Sequence, residues 1–198
     1  DPDKRYLEYT DRWGVYHKWT ARGSVDDTNA DNQCCEQTYI DRFAATGDSV
    51  MIAPTTENLN HQMATGRKNY WWWIDAIQMA MPVYAKYAKI SGDRHYLDYA
   101  MDCYRDARDR RGLFNIADGL WWRDSVYKAP YKEPDGKNCY WSRGNGWVYA
   151  ALVRVMKTVD ADDPYYKELL KDYLLMTHAL VKLQRRDGYW HASLVSTN

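Results

Sequence analysis

Two kinds of helix alternate along this chain, and the alternation restricts its possible folds more than any other feature. A helical period of apolar residues dominates, whereas strand-like alternation is scarce. Residues 71–90 are apolar almost all the way round, which predicts a helix that is buried on most sides. Residues 93–110 carry their apolar side chains on one stripe, which predicts a half-exposed helix. The pattern therefore predicts helical hairpins in two layers, with buried inner helices and half-exposed outer ones.

Glycine and proline signals divide the rest of the chain. Gly47 and Gly92 each follow a helical segment and precede an aspartate, so each predicts the end of one helix and the start of the next. Residues 111–145 contain two Asp-Gly pairs and two prolines, which predict a loop or an irregular hairpin. The predicted helices cover residues 6–20, 29–45, 50–64, 71–90, 93–110, 146–156 and 164–184.

These helices amount to a leading helix and three hairpins in a single domain, residues 1–198. A closed ring of helical hairpins needs roughly twice as many, so the chain corresponds to about half of such a ring. An irregular helical bundle is one alternative. A helical solenoid is another, although the consensus residues of solenoid repeats are lacking.

Charge and composition exclude several classes of protein. With 27 basic and 27 acidic side chains, the chain has neither the basic face of a nucleic-acid-binding protein nor a polybasic membrane signal. Charged residues interrupt the apolar segment 71–90, so it is not a membrane span. The four cysteines and five histidines lack metal-ligand spacing, which predicts buried free thiols and no metal site. Ten tryptophans and 18 tyrosines favour packed faces that also contact water or a hydroxylated ligand.

Asp75 is the first candidate for chemistry, since it is the only acid between Glu57 and Asp93 and follows three consecutive tryptophans. Burial of a carboxyl group among apolar side chains raises its pKa, as expected of a general acid that works near neutral pH. Met79 lies one helical turn later and shares the same face. A structural aspartate that is hydrogen-bonded to a neighbouring helix explains the pattern equally well, and at this point both interpretations stay open.

The second candidate is the segment 141–147, which has the sequence WSRGNGW. Arg143 presents a planar fork that suits a carboxylate, while Trp141 and Trp147 offer rings that stack on a sugar face. Together these parts predict recognition of an acidic sugar. A loop-to-helix junction with packed aromatic side chains is the alternative interpretation.

Two weaker candidates are Asp31 and Arg123. Asp31 stands at the start of a predicted inner helix, where an acidic residue is commonly a helix cap. Arg123 follows a turn and two aromatic residues in the long loop, where a packed loop with a surface charge is the simpler interpretation.

Taken together, these segments resemble glycoside hydrolase family 105, the unsaturated rhamnogalacturonyl hydrolases, and the related family 88, the unsaturated glucuronyl hydrolases. The resemblance rests on W-x-D-A-x-x-M-A-x-P at residues 73–82 and on the WSRGNGW block, in that order. The sequence D-G-L-W-W between them, and Gln184 with D-G-Y-W after them, also fit. The resemblance extends from about Asp31 to the last residue.

The resemblance implies both a fold and an activity. The implied fold is all-α, an (α/α)6 toroid of helical hairpins, of which this chain supplies the N-terminal half to two-thirds of the ring. The implied enzyme is a hydrolase that releases a 4,5-unsaturated uronic acid from lyase-generated oligosaccharides by protonation and hydration of the C4=C5 double bond. It needs no cofactor, and its partner is an acidic oligosaccharide substrate.

The resemblance also implies roles for individual residues. Asp75 matches the aspartate that donates the proton, Asp31 is the candidate for the second active-site aspartate, and Met79 lines the same site. Arg123 departs from the family, whose members often carry a histidine there, so it adds a cation that can favour another acidic group or a different leaving sugar. The residues that match those holding the unsaturated uronate are Trp141, Arg143 and Trp147.

Further expectations concern the chain as a whole. An open part of a ring leaves apolar faces of inner helices exposed, which predicts self-association or poor solubility of the isolated chain. The compartment stays open between the cytoplasm and the periplasm. Two other functions also stay open: an inverting glycosidase on a saturated acidic oligosaccharide, and a non-catalytic helical sugar-binding or scaffold module.

Overall fold

The computed structural model describes residues 4–196, which form eight α-helices and one short antiparallel hairpin. A 3-10 turn lies at Ser49–Met51, another at Ser125–Tyr127, and a π-helical turn at Asp106–Arg110. The two strands are β1 (Phe114–Asn115) and β2 (Leu120–Trp121). The helices are α1 (Lys4–Tyr16), α2 (Ala30–Gln33), α3 (Glu36–Thr46), α4 (Ala53–Ala64), α5 (Asp75–Ser91), α6 (His95–Arg105), α7 (Ser142–Met156) and α8 (Pro164–Leu183).

Helix α5 is the centre of the core. It packs against α2, α3, α6 and α7, and α7 packs in turn against α8. Most of its side chains are buried, including Ile77, Met81 and Tyr84. Helix α8 buries a single stripe of residues instead, namely Leu169, Asp172, Met176 and Ala179. The predicted all-α class is confirmed. Helix α6, for which a half-exposed position was predicted, is more buried than expected, since seven of its eleven residues are buried.

One buried glutamine joins three of the helices. Pro82 lies inside α5 and has no backbone N–H, so the carbonyl of Gln78, four residues earlier, lacks its helical donor. Gln37 of α3 supplies that donor, since its Nε2 bonds to the carbonyl oxygens of Gln78 at 2.9 Å and Met79 at 3.1 Å. The Oε1 of Gln37 accepts a 3.0 Å hydrogen bond from Nη1 of Arg154 on α7. The Gln37 amide therefore ties α3, α5 and α7 together.

The start of α5 departs most from the prediction. The helix begins at Asp75 rather than at the first of the three tryptophans. Trp73 pairs with Asp124 in an antiparallel bridge, and the N–H of Ile74 donates to the carbonyl of Arg123 at 3.0 Å. Because these backbone groups bond to another segment, the stretch before α5 is not helical. The prediction that the tryptophans are helical was therefore wrong, and Asp75 occupies the first position of the helix.

Helix α1 ends at Tyr16 rather than at residue 20 as predicted. Lys18 and Trp19 both have a φ of 55°, which reverses the chain, and the ring of Trp19 folds back onto Gly14. A Cβ atom at Gly14 would lie 2.3 Å from that ring, so the close approach requires glycine.

Two other predicted helices are interrupted. The predicted helix 29–45 divides into α2 and α3 at the adjacent residues Cys34 and Cys35. The predicted helix 93–110 changes from α to π geometry at Asp106, whose carboxylate pairs with the guanidinium groups that follow it at positions 110 and 111. All four cysteines are free thiols, as predicted, but only Cys103 is buried and the other three are partly exposed.

The buried side chain of Asn145 fastens the first turn of α7 to β2. Its Oδ1 accepts a 2.8 Å hydrogen bond from the N–H of Trp121, and its Nδ2 donates to the carbonyls of Trp121 at 2.9 Å and Trp141 at 3.0 Å. Because these bonds hold the segment in place, α7 starts at Ser142 rather than at residue 146 as predicted. Arg143 consequently lies in the first turn of the helix.

Exposed apolar side chains are concentrated on the first helix. The stripe on α1 consists of Tyr6, Tyr9, Trp13 and Tyr16, all exposed to solvent. On α8, Leu174 and Val181 are also exposed. Self-association through such faces stays a prediction. None of the helices within residues 4–196 has the length and hydropathy needed to cross a membrane.

Gly144 allows α7 to approach the start of α5, and we predict that Gly144→Ala lowers the free energy of unfolding by about 1–3 kcal/mol. An added Cβ would lie 2.7 Å from Cδ1 of Ile74 and 2.7 Å from the ring of Trp141, so the helices must move apart. Chemical denaturation measures the change.

Gly146 is the matched control, because it belongs to the same helix but has nothing within 4 Å of an added Cβ. Gly146→Ala should raise the free energy of unfolding by about 0.5–1 kcal/mol, since alanine has the higher helix propensity. Equal stabilisation by both substitutions would contradict the contact between α7 and Ile74.

Glu36 is fully buried on α3, and neither of its carboxyl oxygens accepts a hydrogen bond of ordinary geometry from the described residues. Burial raises its pKa well above the usual range. The stability that this group contributes is therefore complete below the pKa of an unfolded glutamate, about 4.3, and declines as the pH rises towards the folded pKa. We predict that Glu36→Gln raises the free energy of unfolding at pH 8 by about 1–3 kcal/mol.

The comparison is chemical denaturation at pH 4 and pH 8. The gain should shrink at pH 4, where the glutamate is protonated in the folded protein and mostly protonated in the unfolded chain. Glu57→Gln, at an exposed position of α4, should change the stability little at either pH. A gain that is the same at both pH values would mean that the pKa of Glu36 is not raised in the folded protein.

Candidate active site

A cavity of about 300 Å³ brings together residues from four separate segments of the chain. The segments are α2 with the turn before it, the stretch that leads into α5, the loop after β2, and the residue before α7. Four residues predicted for the site, Asp31, Asp75, Arg123 and Trp141, therefore meet in one place. The full lining is Asn29, Asp31, Trp72, Trp73, Asp75, Arg123 and Trp141.

Asp75 is half-buried at the first position of α5. Burial raises the pKa of its carboxyl group above the ordinary value, and the nearby Asp31 raises it further. The backbone N–H of Asp75 and the guanidinium groups of Arg143 and Arg123 lower the pKa, but burial is the larger effect. The carboxyl group therefore retains its proton to a higher pH than an exposed aspartate does, which suits a general acid.

Asp31 lies in the first turn of α2, and its N–H donates to the side chain of Asn29 at 2.9 Å. The cap of this helix is thus Asn29, not Asp31, which leaves the Asp31 carboxyl group free of the capping role suggested by its position. Burial raises the pKa of Asp31 as well. The cavity therefore contains two carboxyl groups, each with a pKa above that of an exposed aspartate.

Arg123 is held on two sides by its own loop. Its Nε donates to Oδ2 of the buried Asp124 at 2.8 Å, and its guanidinium lies over the ring of Tyr127 at 4.7 Å from the centroid. Asp124 in turn accepts a 2.8 Å hydrogen bond from the N–H of Val126 and pairs with Trp73 across the bridge. Arg123 is therefore more than a surface charge, because its loop is fastened to the stretch before Asp75.

The guanidinium of Arg143 lies over the ring of Trp141, 4.3 Å from its centroid. Arg143 makes no hydrogen bond or ion pair with any residue in the described part of the chain, so all its donors are available to a ligand. A larger cavity of about 520 Å³ lies on the α8 side of Arg143. Its lining is mostly apolar and has no carboxylate, so we place the candidate chemistry in the smaller cavity.

Three predicted site residues lie outside the lining of the small cavity, and one of them is Arg143, which lines the larger cavity instead. Met79 is partly buried one turn after Asp75 and packs against the core. Trp147 is partly buried one turn after Arg143 on α7. Their contacts with substrate stay predictions.

Sequence reasoning missed several residues that build the site. Trp72, 52% exposed, and the partly buried Trp73 line the cavity, whereas their neighbour Trp71 is buried in the core. A run of three tryptophans does not show which rings face a ligand, since that depends on the bridge to the loop after β2. Asn145 belongs to the 141–147 segment but was not predicted to have a role of its own. Its position between two glycines is the feature of the sequence that could have indicated one. No group of three or more His, Cys, Asp or Glu side chains within residues 4–196 is arranged to hold a metal ion.

Comparison with known proteins gives matches over the whole chain. The model of glycosyl hydrolase family 88 matches residues 1–198. An unsaturated 3S-rhamnoglycuronyl hydrolase of Alteromonas sp. (strain LOR) is 36% identical over 125 residues, which are 63% of this chain and 30% of that protein. The chain thus spans about a third of the length of this curated relative.

Solved structures have the same helical arrangement. A family 88 glycosyl hydrolase from Bacteroides vulgatus is 32% identical with a TM-score of 0.91, and the match covers 98% of this chain and 60% of that one. A structure named as a polysaccharide lyase is 29% identical with a TM-score of 0.91, over 98% of this chain and 58% of that one. The predicted helical toroid, of which this chain forms a part, is thereby confirmed.

The predicted resemblance to family 105 and the related family 88 is confirmed as well. This chain belongs to glycosyl hydrolase family 88.

Proposed function

We propose that the protein is a hydrolase that releases a 4,5-unsaturated uronic acid from oligosaccharides produced by a polysaccharide lyase. The observation that carries the proposal is the meeting of Asp75 and Asp31, both with raised pKa, in a tryptophan-lined cavity beside Arg123. The name of the Alteromonas relative, an unsaturated 3S-rhamnoglycuronyl hydrolase, supports a substrate of this class.

The proposed reaction begins with proton transfer from Asp75 to C4 of the unsaturated uronate. The C4=C5 bond is an enol ether, so the ring oxygen stabilises the positive charge that develops at C5. Water then adds at C5 and gives up a proton, for which Asp31 is the acceptor in our proposal. The resulting hemiketal opens and releases the neighbouring sugar. Because the first step is hydration of a double bond, the reaction does not require the usual pair of carboxylates on opposite sides of a glycosidic bond.

Binding of the uronate is assigned to the first turn of α7. The guanidinium of Arg143 has donors that no described residue uses, and a carboxylate accepts two parallel N–H bonds from such a fork. The guanidinium of Arg143 stacks on the ring of Trp141, and Trp141 also lines the cavity that contains Asp75. In this proposal Trp147 and Met79 complete the walls around the bound sugar.

We predict that Asp75→Asn lowers kcat on an unsaturated uronyl disaccharide by about 10²- to 10⁴-fold, the usual contribution of a general acid. Asparagine has nearly the same shape as the protonated acid but cannot donate a proton to carbon. Turnover is measured as loss of the ultraviolet absorbance of the unsaturated uronate, and binding of the disaccharide by calorimetry should persist.

The matched control is Asp26→Asn, which changes an exposed carboxylate that pairs with His61 outside the cavity. It should leave turnover intact. The same assay separates the alternatives: a lyase produces the ultraviolet absorbance rather than removing it, an inverting glycosidase on a saturated substrate leaves it unchanged, and a scaffold has no turnover. Full activity of Asp75→Asn would refute its role as the acid.

A second prediction concerns the coupling between the two acids. Asp31→Asn removes a negative charge that raises the pKa of Asp75, so the pKa of Asp75 should fall. It can be followed by ¹³C NMR of the Asp75 side-chain carboxyl group, and in the pH dependence of any residual turnover, whose alkaline limb should move to lower pH. Asp26→Asn should not move the pKa, and an unchanged value in Asp31→Asn would show that the two carboxyl groups do not interact.

A further inference from the structure

Arg123 lines the candidate cavity, and Arg143 lies beside it over the ring of Trp141, which also lines it. A single guanidinium is, however, sufficient to hold the one carboxylate of an unsaturated uronate. Arg143 lies over Trp141, whereas Arg123 lies over Tyr127, so the two forks rest on different rings. We propose that Arg123 determines specificity by binding a second anionic group, carried by the sugar that is released. This inference rests on the proposed function and extends it to a class of leaving sugar.

The hydrogen bonds of Arg123 leave one edge of its fork available. Only Nε is engaged, by Oδ2 of Asp124 at 2.8 Å, and Nη1 and Nη2 donate to no residue between positions 4 and 196. The side chain remains 45% exposed and borders the cavity that contains Asp75. Two donors on one planar edge match two oxygens of an anion better than they match a neutral hydroxyl group.

The surroundings of Arg123 hold this edge in a fixed direction. Asp124 is 3% exposed, and its second carboxylate oxygen is bonded to the N–H of Val126, so it cannot follow the arginine into solvent. The ring of Tyr127 restricts the guanidinium on one face. A side chain that is already ordered loses less conformational entropy when it binds a ligand. The arrangement is therefore that of a prepared anion subsite and not of a mobile surface charge.

The test uses the full-length protein and three unsaturated uronyl disaccharides that differ only in the leaving sugar. One leaving sugar is neutral, one carries a sulfate ester and one carries a carboxylate. The wild type should hydrolyse at least one anionic substrate with a kcat/KM at least tenfold higher than that of the neutral one. The better anionic substrate identifies the group that Arg123 binds.

Arg123→Gln should lower this ratio of kcat/KM values at least tenfold, and Arg123→Lys, which keeps the charge without the fork, should lower it less. Arg94→Gln is the matched control, because Arg94 is also bonded to an aspartate, stacked on a tyrosine and about half exposed, but lines a different cavity. It should leave the ratio unchanged.

The outcomes separate the two proposals. A wild type that hydrolyses all three substrates without preference for an anionic leaving sugar overturns this inference and leaves the proposed function intact. The same holds if both Arg123 variants keep the wild-type ratio. A wild type that hydrolyses none of the three overturns the proposed function and the inference with it.

Discussion

The inner layer of helices depends on how the hydrogen bond missing at Pro82 is replaced. A buried carbonyl without a donor costs about 1–3 kcal/mol, so the proline imposes a requirement on its neighbours. The Nε2 of Gln37 donates a hydrogen bond to this carbonyl, and the Oε1 of Gln37 accepts one from Arg154 of α7. Since α5 begins with Asp75 and α3 directly follows the short helix of Asp31, the same amide holds the helix of one acid against the helix that adjoins the other. The position of the candidate site is thus a consequence of core packing.

Opposing influences act on the proton of Asp75. Partial removal from water and the neighbouring acid favour the neutral form, while two guanidinium groups favour the charged form. The proposed reaction needs both, because the proposed acid must hold its proton until the substrate arrives and an anionic substrate must still be attracted. In that proposal, binding of a uronate carboxylate to Arg143 partly cancels one of the positive charges near Asp75. The proposed substrate would therefore itself raise the pKa of the proposed acid.

The sequence was sufficient for features that depend on neighbouring residues. Apolar periodicity and the glycines at positions 47 and 92 located the hairpins, and both glycines do end helices in the left-handed conformation. The start of α5 was not predictable in this way, because it depends on the bridge between Trp73 and Asp124, which are distant in the chain. Among the site residues, Asp31 was identified through family resemblance alone, since its local pattern was that of a cap.

The close approach at Gly144 has a consequence for how relatives of this chain can vary. The δ-methyl of Ile74 fills the space that a side chain at Gly144 would need. Gly144 is next to Arg143 in the chain, and Ile74 is next to Asp75. A relative with alanine at the position of Gly144 should therefore have a shorter side chain, such as valine or alanine, at the position of Ile74. Exchange at only one of the pair would alter the spacing between Asp75, the proposed proton donor, and Arg143, the proposed anchor of the uronate.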